Sequence, residues 1–178
     1  MRRPRHLIDG AEYHVIARTN RGEFILRDDA VKDLLLEVFK EAHQKYRFTV
    51  RDFSIMDNHF HFMMRPGRGE SLSRIMQWVL SVFAIRFNRR YGLFGHVWYD
   101  RFKSKVVSSL MQWLATLLYI QENPVRAGLV SDRTEYRYSG LNRIRSSDFS
   151  VVSKPDILAM LVVPAFALRF DLLPAPED

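Results

Sequence analysis

Cysteine is absent from the 178 residues. That excludes a disulfide scaffold and any thiolate-ligated metal, so a metal here must be held by histidine, carboxylate or amide groups. No apolar run reaches the length needed to span a bilayer, and no membrane role is expected. The basic start, Met1 to His6, leads into Asp9-Gly10-Ala11-Glu12 without the apolar core of a signal peptide, which makes the cytoplasm the expected compartment. No glycine-rich phosphate loop, internal repeat or low-complexity tract is present. The length favours one domain with a sizeable core.

The net charge is +7, and its placement is informative. Between residues 65 and 105 there are 9 Lys or Arg against 2 Asp or Glu, whereas the flanking segments are close to neutral. Such a window is either a solvated basic face or a footprint for a polyanion, because Lys and Arg displace counterions from phosphates. The same window holds Trp78, Phe83, Phe87, Tyr91, Phe94, Trp98, Tyr99 and Phe102. Some of these rings must be core; mixed basic and aromatic residues also suit single-stranded nucleic acid, whose unpaired bases stack.

Hydrophobic periodicity predicts a strand over 12–18 and an amphipathic helix over 29–46. A hairpin over 48–64 turns at Asp57-Asn58. A helix over 71–90 follows, then a strand over 97–107. A third helix spans 109–122 and stops at Asn123-Pro124, since the residue before proline disfavours the helical conformation. Beyond 130 the signal weakens; Lys154-Pro155-Asp156 could open a short helix through Leu161, and 172–178 reads as a tail. The order implies an α+β, ferredoxin-like sandwich, a mainly antiparallel sheet with helices on one face.

In His59-Phe60-His61 the alternation of a strand sends both imidazoles to one face and Phe60 to the other. Two imidazoles on one face can share a metal ion, although most such pairs are incidental. Asp57 and Asn58 could support them, or simply make the turn. On the third helix Leu110, Trp113, Leu114 and Leu117 form an apolar stripe. Tyr119 falls on the other side with Gln112, Thr116 and Asn123. Tyr119 and Asn123, at i and i+4, share a face. A phenol, with a pKa of about 10, is a poor nucleophile at neutral pH. A hard cation on a phosphate can compensate by polarising the P–O bond, so imidazoles, an amide oxygen and a tyrosine together point to phosphodiester chemistry.

Three segments carry a family resemblance. Met56-Asp57-Asn58-His59-Phe60-His61-Phe62 resembles the His-hydrophobic-His motif of the HUH single-strand nucleases. Gly95 to Ser104 and Tyr119 to Val130 (YIQENPVRAGLV) resemble the REP-associated tyrosine transposases, relatives of the insertion-sequence transposases that move as single strands. The resemblance covers roughly 10–140, which divides the chain into a transposase domain over 1–140 and an extension of uncertain structure over 141–178. It implies a Mg²⁺- or Mn²⁺-dependent nickase and strand transferase acting on hairpin DNA from extragenic palindromes. A 5′-phosphotyrosine intermediate is implied, and no nucleotide cofactor is needed. His59, His61 and Asn123 match the metal ligands and Tyr119 the nucleophile. Asp57 stands where the family's pattern has proline and puts a carboxylate near the expected metal. Arg86, Arg89, Arg90, Arg101, Lys103, Lys105 and Arg126 are the candidate DNA contacts. A monomer is expected rather than the site-sharing dimer of some relatives. Two alternatives remain open: a hairpin-binding protein that has lost catalysis, and a metal-dependent phosphohydrolase of small substrates.

Overall fold

The computed structural model describes residues 8–155. The expected helix opening at 154–156 and the expected tail lie outside the described residues, apart from Lys154 and Pro155, which are not helical. The elements run β1 (Glu12–Arg18), α1 (Asp29–Lys45), β2 (Phe48–Ile55), β3 (His59–Pro66), α2 (Leu72–Tyr91), β4 (Lys103–Val107), α3 (Leu110–Arg126) and α4 (Gly140–Arg145). The four strands form one sheet in the order β2-β3-β1-β4, and every neighbouring pair is antiparallel. This is the α+β sandwich that the sequence pattern implies.

Strand alternation assigns the two faces of the sheet. Tyr13, Val15 and Ala17 of β1, Phe53 of β2 and Phe60, Phe62 and Met64 of β3 are buried with Leu35, Val38 and Phe39 of α1 and Ile75, Val79 and Phe83 of α2. The Phe39 ring stacks on Phe62 at 4.0 Å between centroids, and Phe62 stacks in turn on Phe53 at 5.0 Å. Burial of these side chains is the main stabilising term, at roughly 1.5–3 kcal/mol for each large one.

The helices are not confined to that face. α3 crosses the other side of the sheet, where Leu117 and Ile120 pack on Met63 of β3. On that side β3 presents Met63 between His61 and Arg65, and α3 covers this apolar side chain. α3 also continues past the expected stop: Pro124 lies inside it and is buried. Proline there removes one N–H from the ladder. The last turn closes instead through the Ala127 N–H to Asn123 O (3.0 Å) and the Leu129 N–H to Pro124 O (2.9 Å), and Gly128 takes a left-handed φ of 68°. The expected strand over 97–107 is regular only over Lys103–Val107. Residues 97–99 still follow the end of β1, through a bridge between Trp98 and Thr19 and the Tyr99 N–H to Arg18 O (3.0 Å).

The outer edge of β2 is covered by the chain after α3. Ile55 N–H donates to Tyr138 O and Ser153 N–H to Val50 O. Val151 and Val152 are buried in the main core. A division at 140 would cut inside this wrap. At its centre lies Asp52, fully buried on the α3 side of β2. Its carboxylate accepts from Gln121 Nε2 (2.7 Å), from the Phe53 N–H (2.7 Å) and from the backbone of Gly140 and Leu141. Burial pushes the carboxyl up to about 7, against the four N–H donors that pull it down. A Cβ on Gly140 would run into Asp52 Oδ1 and come within 2.9 Å of the Phe53 nitrogen, so glycine is required by the close approach. Asp52 thus ties β2, α3 and α4 together.

Asp52→Ala strands the Gln121 amide and the first N–H groups of α4 in the interior. It should lower the unfolding free energy by roughly 3 kcal/mol, at about 1–3 kcal/mol for each unsatisfied group. Urea denaturation at pH 7 measures this; a loss below about 1 kcal/mol would show that the carboxylate does not hold these elements together.

Candidate active site

The two histidines of β3 emerge on the face that α3 covers. His59 is half-buried and His61 is 2% exposed. Asn58 Oδ1 lies 2.7 Å from His59 Nδ1. An amide oxygen only accepts, so Nδ1 carries a proton and Nε2 is the nitrogen left to meet a ligand. His61 is arranged in the same sense by a residue that the sequence did not single out. His14, on β1, pairs across the ladder with Met63 and is therefore the diagonal neighbour of His61. The two rings stack at 5.1 Å, with His14 Nε2 2.9 Å from His61 Nδ1. The other nitrogen of His61, Nε2, is buried with no hydrogen-bond partner.

Both of these imidazoles are held neutral. Burial, then the charge of Lys105, lowers His14 to about 4. His61 falls well below its usual value through burial first, then through His59, His14 and Arg18. A neutral imidazole with a protonated Nδ1 presents a lone pair at Nε2. For His61 this requires its Nδ1–H to donate to His14 Nε2.

Tyr119 approaches from α3. Its ring stands edge-on to His61 (5.4 Å between centroids, 88° between planes) and to His14 (5.9 Å, 70°). The tyrosine lies off the buried stripe of α3, as expected, but it is half-buried against the imidazoles rather than simply exposed. The stripe itself comprises Leu114, Leu117, Ile120, Gln121 and Pro124; Leu110, expected in it, is 51% exposed. Asn123 sits one turn after Tyr119, and its Nδ2 donates to Tyr119 O at 2.7 Å, which leaves Oδ1 as its acceptor atom. The Arg126 guanidinium lies over the Tyr119 ring at 5.8 Å.

The structure brings some of the candidate DNA contacts to this face and not others. Lys103 and Lys105 pair across from Ile16 and His14 and are exposed on the histidine side of edge strand β4. Arg18, opposite His59, joins them. Arg101 is exposed in the loop before β4. Arg89 and Arg90 are exposed at the end of α2, on the other side of the sheet. Arg86 is also on α2, where Glu41 of α1 takes both ends of its guanidinium (2.6 and 2.7 Å).

Asp57 does not join the histidines: its carboxylate is the counter-ion of the buried Lys32 (3.0 Å) and also meets Arg27 (3.5 Å). Among the described residues no group of three or more His, Asp or Glu side chains is arranged to hold a metal ion. The residues that could hold such an ion are His59 and His61, on one strand face, and the Asn123 amide on the same helix face as Tyr119; Nε2 of His61, without a hydrogen-bond partner, is the atom that a metal would satisfy.

Comparison with known proteins identifies the family. The model of the IS200-like transposases matches residues 8–123, and the chain belongs to that family. It is a transposase by descent, a class of DNA-processing enzyme. The solved structure of a REP-associated tyrosine transposase bound to a REP hairpin has the same fold, with a TM-score of 0.70 at 17% identity over 88% of this chain and 93% of that one. An inferred transposase from Deinococcus radiodurans R1 is 18% identical over 68% of this chain and 97% of its own, with a TM-score of 0.46. No curated protein matches. Among the described residues no helix is long and apolar enough to cross a membrane.

The neutral His14 gives the metal-free protein a pH signature. The unfolded chain protonates this histidine near 6.5 and the folded protein only near 4, so the unfolded state binds more protons between those values. Stability from this group is therefore lost as pH falls from 6.5 towards 4, by about 2 kcal/mol at pH 5. Asp52 changes in the opposite sense but is common to both proteins in the comparison. In chelator, His14→Gln should lose correspondingly less stability than wild type between pH 7 and pH 5. Parallel denaturation curves for the two would show that His14 is not held neutral.

Proposed function

We propose that this chain is a metal-dependent, single-strand DNA endonuclease and strand transferase in which Tyr119 is the nucleophile. The observation that carries the reading is the contact of the Tyr119 ring with His61, a buried neutral imidazole whose Nε2 has no hydrogen-bond partner. His59, His61 and Asn123 would hold Mg²⁺ or Mn²⁺. That ion would polarise the scissile phosphate and stabilise charge developing on its oxygens. Within the chain, Asn58 and His14 orient the two imidazoles. α3 presents the phenol to the same place, and Arg126, Lys103 and Lys105 supply positive charge around it for the phosphate backbone.

The phenolic oxygen of Tyr119 attacks phosphorus, and the bond to the 3′ oxygen breaks. The phenol gives up its proton and the departing oxygen gains one. The protein is left on the 5′ phosphate and the upstream strand on a free 3′-OH. The adduct is an ester of similar energy to the bond it replaced, so a 3′-OH can reverse the step and rejoin strands without a nucleotide. The REP-associated relative was solved on a REP hairpin, which supports hairpin DNA as the substrate class. Tyr119 reaches His61 of its own chain, as a monomer that does not share its site requires.

Single-stranded hairpin DNA labelled at either end, with Mg²⁺ or Mn²⁺, tests the reading on a denaturing gel. The 3′-end label should shift to the size of the protein and collapse after protease digestion, while the 5′-end label runs as free DNA. Tyr119→Phe should abolish the adduct with hairpin affinity within a few-fold of wild type, and chelator should abolish it in wild type. Two free fragments with no protein-linked label would leave a hydrolase, and binding without cleavage would leave a hairpin-binding protein.

A further inference from the structure

Tyr99 is an exposed ring on a fixed support. Its side chain is largely in solvent, with the residue 73% exposed, although its backbone is pinned. The Tyr99 N–H donates to Arg18 O. The preceding Trp98 bridges to Thr19, itself buried, and its Nε1–H donates to Leu80 O at 3.0 Å. Asn20 N–H donates to Val97 O at 2.8 Å. A large ring held this firmly in water gains nothing for the fold, since it covers little of the core.

Two clefts meet at this ring. The smaller, about 350 Å³, is lined by His59, Asn58, Arg18, Arg21 and Tyr99, so Tyr99 and a histidine of the active site share one concavity. The larger, about 740 Å³, lies between α2 and the loop before β4, with Ser73, Gln77, Ser81, Trp98 and Arg101 among its walls. Both volumes fall within the range of small-molecule sites. Asp100 also lines the larger cleft, where its carboxylate accepts the Arg101 N–H at 2.7 Å. The smaller cleft carries two arginines, Arg18 and Arg21, whereas the larger mixes polar side chains and Arg101 with apolar Leu80, Ala84 and Phe102; the Tyr99 ring stands at their junction.

Resting on the single-strand reading above, we propose that Tyr99 is a stacking platform for an unpaired nucleobase within two nucleotides of the scissile phosphate. In this arrangement Arg18 and Arg21 take the backbone between the base and the cut, and the strand continues into the larger cleft past Arg101. Aromatic rings beside cationic side chains are the chemistry of single-strand binding, in which every base offers a π-face.

The test uses Tyr119→Phe protein, so that bound DNA is not cut, and hairpins carrying 2-aminopurine at each of the two positions on either side of the cleavage site. Binding should quench the fluorophore at one or more of these positions. Adding Tyr99→Ala should abolish that quenching and weaken binding of the flanked hairpin by roughly 5- to 150-fold, the equivalent of about 1–3 kcal/mol for one stacked base. Tyr99→Phe should retain both, because stacking does not need the hydroxyl. A hairpin without the single-stranded flank should bind Tyr99→Ala and its parent alike. Unchanged quenching and affinity in Tyr99→Ala would overturn the platform alone, as would an equal loss on the flank-free hairpin. Absence of DNA binding by the parent protein would overturn the platform together with the reading on which it rests.

Discussion

Phe60, Phe62 and Met64 leave β3 on one side and His59, His61 and Met63 on the other. The first set is sealed under α1 and α2, so the strand cannot slip by one residue without driving imidazoles into an aromatic core. The same register, carried by hydrogen bonds to β1, sets His14 diagonally beside His61. Aromatic packing on one face thus fixes the chemistry on the other. A short buried contact between two neutral imidazoles is tolerable because each offers the other a complementary donor or acceptor.

The second face would be incomplete without α3, which closes over it and delivers the tyrosine. Among the contacts that hold it are Leu117 and Ile120 on Met63, the Gln121 amide on the buried carboxylate of Asp52, and Glu122 with Arg133. Gln121 lies two residues from Tyr119, so the polar anchor and the phenol leave the helix on opposite sides. A shift of α3 large enough to take Tyr119 off His61 would break the Gln121 bond in a dry interior, where an unpaired polar group is costly. The extra turn through Pro124 keeps Asn123 and Arg126 in helical register with Tyr119.

Much of this was legible in the sequence because it follows from local periodicity. The order of elements, the common face of His59 and His61, and the separation of Tyr119 and Asn123 from the buried stripe of α3 all depend on neighbours within one element. What was not legible depends on pairing between distant segments. His14 looks like one residue of an ordinary strand until the β1–β3 register sets it against His61. Arg86 looks like a phosphate ligand until Glu41, 45 residues earlier, claims its guanidinium. Asp57 next to a histidine motif suggests a ligand, yet its carboxylate belongs to Lys32. Pro124 reads as a stop because a local rule says so; packing and the closure at Gly128 override it.

The family gives a transposase, and the proposed function makes a specific claim beyond it: that a divalent ion binds at Nε2 of His61, which is buried without a hydrogen-bond partner, beside the edge-on Tyr119 ring. Crystals grown with Mn²⁺ and measured for its anomalous scattering test this directly. The account predicts a single strong peak within coordinating distance of Nε2 of both His59 and His61, on the face that carries Tyr119. A Mn²⁺ peak bound elsewhere on the protein, or none beside the two histidines at saturating metal, would contradict it.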